Sequence, residues 1–114
     1  MAGGGRVAET ELERLSTILE RFNDECARLF DDPERIVRRI REDVAPKVAA
    51  DPAYQNAREN TPQTARLEHE RALSQVMIGM LKDDVDLYKQ FANNPSFKRA
   101  VSEAVLGLIG AGGW

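Results

Sequence analysis

From Thr10 onward, Leu12, Leu15, Leu19, Phe22, Cys26 and Leu29 recur in alternating steps of three and four. That rhythm returns to the same side of a helix at each turn, so it predicts a first helix with one apolar stripe, ending near Phe30. Thr10 followed by Glu13 fits a capping box, in which each side chain serves the other residue's free backbone N–H, and places the helix start at Thr10. The stripe either faces the domain's own core or seats a partner helix. A small helical domain needs that surface for itself, which favours the core.

Four later pairs, Asp32-Pro33, Asp51-Pro52, Thr61-Pro62 and Asn94-Pro95, each put a good N-cap before a proline. Proline loses nothing at the first helical position, because its missing N–H would have had no partner there. Each pair therefore predicts a helix start, and their unequal spacing speaks against a repeat array. The second helix, from Pro33, places Ile36, Val37, Ile40 and Val44 on one side. Pro46 is expected to end or kink it, pushing Ala45 out of helical geometry at a cost of about 3 kcal/mol. A short third helix runs from Pro52 to about Glu59, and a fourth from Pro62 to about Lys82 buries Ala65, His69, Leu73, Val76, Met77 and Met80. Asp84 can cap a fifth helix with Leu87, Tyr88 and Phe91 on its face, and the sixth, from Pro95, carries Phe97, Val101, Val105, Leu108 and Ile109. No useful stretch alternates with period two, so the fold expected is all-α: a compact single-domain bundle of about six helices.

The 114 residues suit one domain, and 42% hydrophobic with 31% charged residues is ordinary for a globular chain. The glycine-rich ends, 1–9 and 110–114, read as flexible tails around a helical domain over 10–109. A net charge of −3 speaks against a surface devoted wholly to nucleic acid but leaves room for a local basic face. One cysteine forms no internal disulfide, no leader pattern opens the chain, and the apolar run Ala104 to Ile109 is too short for a membrane span. The expected setting is cytoplasmic, without membrane contact.

Chemistry is sparse. Gly3 to Gly5 lack the lysine and hydroxyl of a phosphate loop, and one His with one Cys falls short of the three or about four ligands a zinc site requires. Asp31-Asp32 and Asp83-Asp84 sit at helix boundaries, where capping is the simple reading and a cation site the sharper one. His69 lies on an apolar line with Glu68 and Glu70 expected to point elsewhere, and reads as a half-buried structural histidine. Cys26, within the first stripe, reads as a small hydrophobe. No catalytic, cofactor-binding or metal-binding residue is assigned. Arg35, Arg38, Arg39 and Arg41 cluster opposite Ile36, Ile40 and Val44, either as a solvated face balanced by Glu34, Glu42 and Asp43 or as contacts for DNA phosphates or an acidic partner. Lys98 and Arg99 form a weaker second patch, without the interleaved aromatics of a single-strand platform.

Three stretches, Leu15-Ser16-Thr17-Ile18-Leu19-Glu20-Arg21-Phe22-Asn23, Gln55-Asn56-Ala57-Arg58-Glu59-Asn60-Thr61-Pro62, and Asp86-Leu87-Tyr88-Lys89-Gln90-Phe91-Ala92-Asn93-Asn94-Pro95-Ser96-Phe97-Lys98, occur in this order. They resemble the C-terminal helical region of the motor (R) subunit of type I restriction enzymes. Where that family turns soon after the first stretch, Glu25 to Phe30 here continue the helical stripe. The resemblance implies an assembly module without catalytic residues, part of an ATP-dependent site-specific deoxyribonuclease, docking the motor and endonuclease subunit onto a methyltransferase core of modification and specificity subunits. Double-stranded DNA is a further contact on that reading, and ATP and Mg would belong to upstream domains. The rival reading is a free-standing helical DNA-binding or regulatory protein.

Overall fold

The computed structural model describes the backbone of residues 2–111 and the side chains of 13–110. The helices are α1 (Ala2–Leu29), α2 (Pro33–Arg39), a π-helical turn (Ile40–Val44), α3 (Ala45–Ala49), α4 (Pro52–Asn60), α5 (Pro62–Gly79), α6 (Val85–Asn93) and α7 (Pro95–Ala111). Among the described residues there is no strand, and the chain is an all-α bundle. Its extents of 48 × 30 × 22 Å are set by α1, which at 1.5 Å per residue is itself about 42 Å long.

The first helix begins at Ala2 rather than at Thr10, so its helical backbone takes in residues 2–9, expected as a tail. No proline interrupts the chain there, and extending an existing helix adds a hydrogen bond for each residue ordered. The capping-box side chain of Thr10, and that of Leu12, lie outside the described residues. At the other end α7 runs past Ile109 to Ala111, and 112–114 lie outside the described residues.

Four starts carry the expected cap. Asp32 accepts from Arg35 N (3.2 Å), Asp51 from Tyr54 N (2.9 Å), Asp84 from Leu87 N (3.4 Å) and Asn94 from Phe97 N (3.2 Å). Thr61 is the exception: its side chain caps nothing, and instead its hydroxyl and carbonyl oxygens both accept from the Thr64 hydroxyl.

Pro46 neither ends the second helix nor displaces Ala45, whose φ of −58° and ψ of −44° are helical. The helix widens one turn earlier instead. Ala45 N–H donates to the Ile40 carbonyl, a five-residue span that gives the proline ring room, and Val44 absorbs the distortion with φ at −92°. The turn keeps Ile36, Ile40, Val44, Ala45 and Val48 all buried. The fourth helix of the sequence reading, α5, stops at Gly79 rather than Lys82. Asp83 and Asp84 N–H groups close back on the Met80 carbonyl, leaving Asp84 extended enough to cap α6 while Met80 stays in the core.

The core fills the space between α7 and its neighbours α1, α3, α5 and α6. Phe97 lies at one end of it, 6.1 Å from the Phe22 ring and 5.5 Å from that of Phe30. The α1 stripe faces this core: Phe22 and Cys26 are buried, and Leu15, Leu19 and Leu29 half-buried.

Candidate functional site

The arginine cluster of α2 does not form one open face. Asp84, brought over by the start of α6, is 5% exposed and takes both Arg35, through Nη1, and Arg39, whose Nε lies 3.2 Å from the same oxygen. Arg39 reaches Asp43 as well, at 3.2 Å. These two guanidiniums are thus the counterions of a buried carboxylate, which would otherwise be costly to remove from water. Arg38 and Arg41 make no ion pair among the described residues and line a groove between α1 and α2. Asp24, Glu34 and Glu42 line the same groove, so its carboxylates outnumber its arginines. Lys98 lies apart, with Nζ 5.5 Å from the Phe91 ring centre, and Arg99 is exposed beside it. The six basic candidates therefore split into a pair held by the buried Asp84, a groove in which acids outnumber arginines, and a separate patch on α7.

A second basic cluster escaped the sequence reading. Arg14 and Arg21 of α1 and Arg66 of α5 border a groove of about 660 Å³, with Ile18, Leu106 and Gly107 along its base and Glu103 as its one acid. Arg14 and Arg21 stand seven residues apart, which puts them on one side of α1 and is a signal the sequence does contain. Arg66 joins them only through the packing of α5.

His69 is more deeply placed than expected. It is fully buried, its ring is 5.6 Å from that of Tyr54, and neither ring nitrogen makes a hydrogen bond. Glu70 does not point elsewhere: its carboxylate comes within 3.5 Å of His69 Nδ1, although its firmer partner is the Ser102 hydroxyl on α7. Glu68 does turn away, to Arg71. Burial pushes the imidazole below its ordinary pKa, against the pull of the Glu70 carboxylate, while Arg66 acts in the same direction as burial. Cys26 is buried and in no disulfide, its thiol pushed up to about 12 by burial and by the Glu25 charge, so it packs as an apolar group.

The acidic pairs resolve into caps. Asp32 and Asp84 cap α2 and α6, while Asp31 and Asp83 are exposed. Among the described residues no group of three or more His, Cys, Asp or Glu side chains is placed to hold a metal ion, and no described helix is long and apolar enough to cross a membrane. The arrangement offers surfaces for binding: two grooves bordered by arginines on a helical scaffold. No family model matches the chain, and neither does any curated protein or solved structure.

Proposed function

We propose that this chain is a docking module: the C-terminal assembly piece of a type I restriction enzyme R subunit, joining the motor and endonuclease subunit to a methyltransferase core. The observation that carries the reading is the three-part resemblance, in order, over Leu15–Asn23, Gln55–Pro62 and Asp86–Lys98. These stretches contribute Phe22, Ala57, Leu87, Phe91 and Phe97 to the buried interior, and most of their other residues are exposed. On this reading ATP, Mg and the nuclease chemistry belong to segments upstream of the module, and the module acts by its surface.

Size-exclusion chromatography of the purified chain with its cognate modification and specificity subunits tests this. Co-elution, and competition with the full motor subunit for the same core, is the expected result; a chain that does neither is not this module. The rival, a free-standing DNA-binding protein using Arg35, Arg38, Arg39, Arg41, Lys98 and Arg99, is weakened because Arg35 and Arg39 already neutralise Asp84. It would need binding to duplex DNA that falls steeply with salt and weakens when Arg38 and Arg41 become Ala.

A further inference from the structure

The groove between α1, α5 and α7 combines two properties. Its rim is cationic: Arg14, Arg21 and Arg66 are all exposed and make no ion pair among the described residues, against the single carboxylate of Glu103. Most other described arginines differ: Arg28, Arg35, Arg39 and Arg71 each hold a carboxylate, Arg58 lies over the Tyr54 ring, and Arg38 and Arg41 share their groove with three acids, while Arg99 stands exposed on α7 beside Lys98. Its base, meanwhile, is apolar and incompletely covered, since Ile18 and Leu106 remain half-buried and Gly107 contributes no side chain. A Cβ at Gly107 would come within 2.8 Å of Leu15 Cδ1, so a side chain there would have to displace the end of the Leu15 side chain.

From these features we infer that the groove receives an acidic amphipathic helix of a partner protein, laid along α1. The choice of occupant follows from the two chemistries together. Arg14 and Arg21 are separated by about 10 Å along α1, two helical turns, which matches carboxylates at i and i+7 on a helix running alongside. The same partner helix would set apolar side chains from its intervening turns onto Ile18 and Leu106, as in helix-in-groove recognition. A nucleic-acid backbone could answer the arginines but offers nothing to the apolar base. Thr17 does not compete for the ligand, because its hydroxyl donates to the Glu13 carbonyl at 3.0 Å. The inference rests on the docking reading for its biological purpose, and it assigns that reading a face.

The test is an NMR titration of the intact chain with a synthetic peptide of about five helical turns, carrying leucines at i, i+3, i+4 and i+7 and glutamates on its flanks. The amides of Ile18, Arg21, Arg66, Leu106 and Gly107 should shift. Affinity should fall at least about tenfold in an Arg14→Glu, Arg21→Glu, Arg66→Glu variant, and a peptide with lysine in place of glutamate should not bind. Arg38→Glu with Arg41→Glu should leave binding unchanged. The replaced residues are exposed, and far-UV circular dichroism verifies that each variant is folded; should the triple variant unfold, Arg21→Gln alone gives the same comparison at smaller amplitude. Shifts that map elsewhere, an affinity insensitive to these charges, or a DNA duplex that binds the groove more tightly than the acidic peptide would each overturn the inference. Co-elution with the methyltransferase core that persists in the triple variant would also overturn it while leaving the docking reading intact; peptide binding without co-elution would do the reverse.

Discussion

A fully buried imidazole with no hydrogen-bond partner on either nitrogen leaves two polar atoms unsatisfied in the core, and protonating it would add a charge there. The groups facing His69 are the Tyr54 ring, the Glu70 carboxylate and, more remotely, Arg66, and burial outweighs the one attraction among them. The folded state therefore holds the histidine neutral to a lower pH than the unfolded chain does. Stability is fully present above the unfolded histidine pKa of about 6.5 and declines as pH falls below it, by at most about 1.4 kcal/mol per pH unit. Glu25 and Asp51, whose carboxyls are held below their ordinary values by hydrogen bonds, lose their contribution only at still lower pH. Urea unfolding of wild type and His69→Leu should separate the two ranges. The variant should lie within about 1.5 kcal/mol of wild type near neutrality, as a near volume-conserving swap does, and should lack the decline between about pH 6.5 and 5. Parallel pH profiles for the two proteins would refute this account.

Helix starts in this chain do more than begin helices. Asp51 caps α4 and also takes Arg71 of α5 at 2.6 Å; Asp84 caps α6 and gathers Arg35 and Arg39 of α2. Each carboxylate thus ends one local problem, a free N–H, and joins two elements, consecutive helices for Asp51 and helices distant in sequence for Asp84. The two roles of Asp84 are separable. Asp84→Asn keeps a side-chain oxygen for Leu87 N–H but removes the charge between the arginines, and should cost about 1–3 kcal/mol, the loss of hydrogen bonds to a charged group. Asp84→Ala should cost about 1 kcal/mol more, the worth of an N-cap. Equal losses in chemical denaturation would show that the cap contributes nothing beyond the ion pairs. The π turn at Ile40–Val44 is a comparable compromise: Pro46 withholds one donor, and widening the turn before it keeps the apolar side aligned with the core.

Assembly of the bundle depends on α7, against which α1, α3, α5 and α6 all pack. Phe97, with no exposed surface, closes the junction where α7 meets the end of α1 through Phe22 and Phe30. Replacing it by alanine should cost about 3–5 kcal/mol, the transfer free energy of the ring plus the cavity left between helices that cannot fully collapse. Because one continuous core joins the helices, the loss should appear as a single earlier transition in denaturant, followed by far-UV circular dichroism, rather than as the melting of one helix. A cost below about 1 kcal/mol would mean that the α1–α7 junction is not held by this side chain.

The all-α class, four of the five capped starts and the buried lines of α5, α6 and α7 were readable because their causes are local. Residues three and four apart share a helix side, and an N-cap acts on an N–H three residues away. The thiol of Cys26 and the caps at Asp32 and Asp84 were readable on the same ground. Where a local rule met a distant demand, it was the distant one that prevailed. Pro46 continued a helix because Val44 and Val48 both had to reach the core, and α5 stopped early because Met80 and Asp84 had to face inward. The basic residues divide along the same line. Periodicity puts Arg35 and Arg39, four residues apart, on one side of α2, but does not show that α6 brings Asp84 to them. It shows Arg14 and Arg21 two turns apart, but not that Arg66 and an uncovered apolar strip lie beside them. Helical register is set by neighbours along the chain, whereas the partner of a charge is set by which helices pack together.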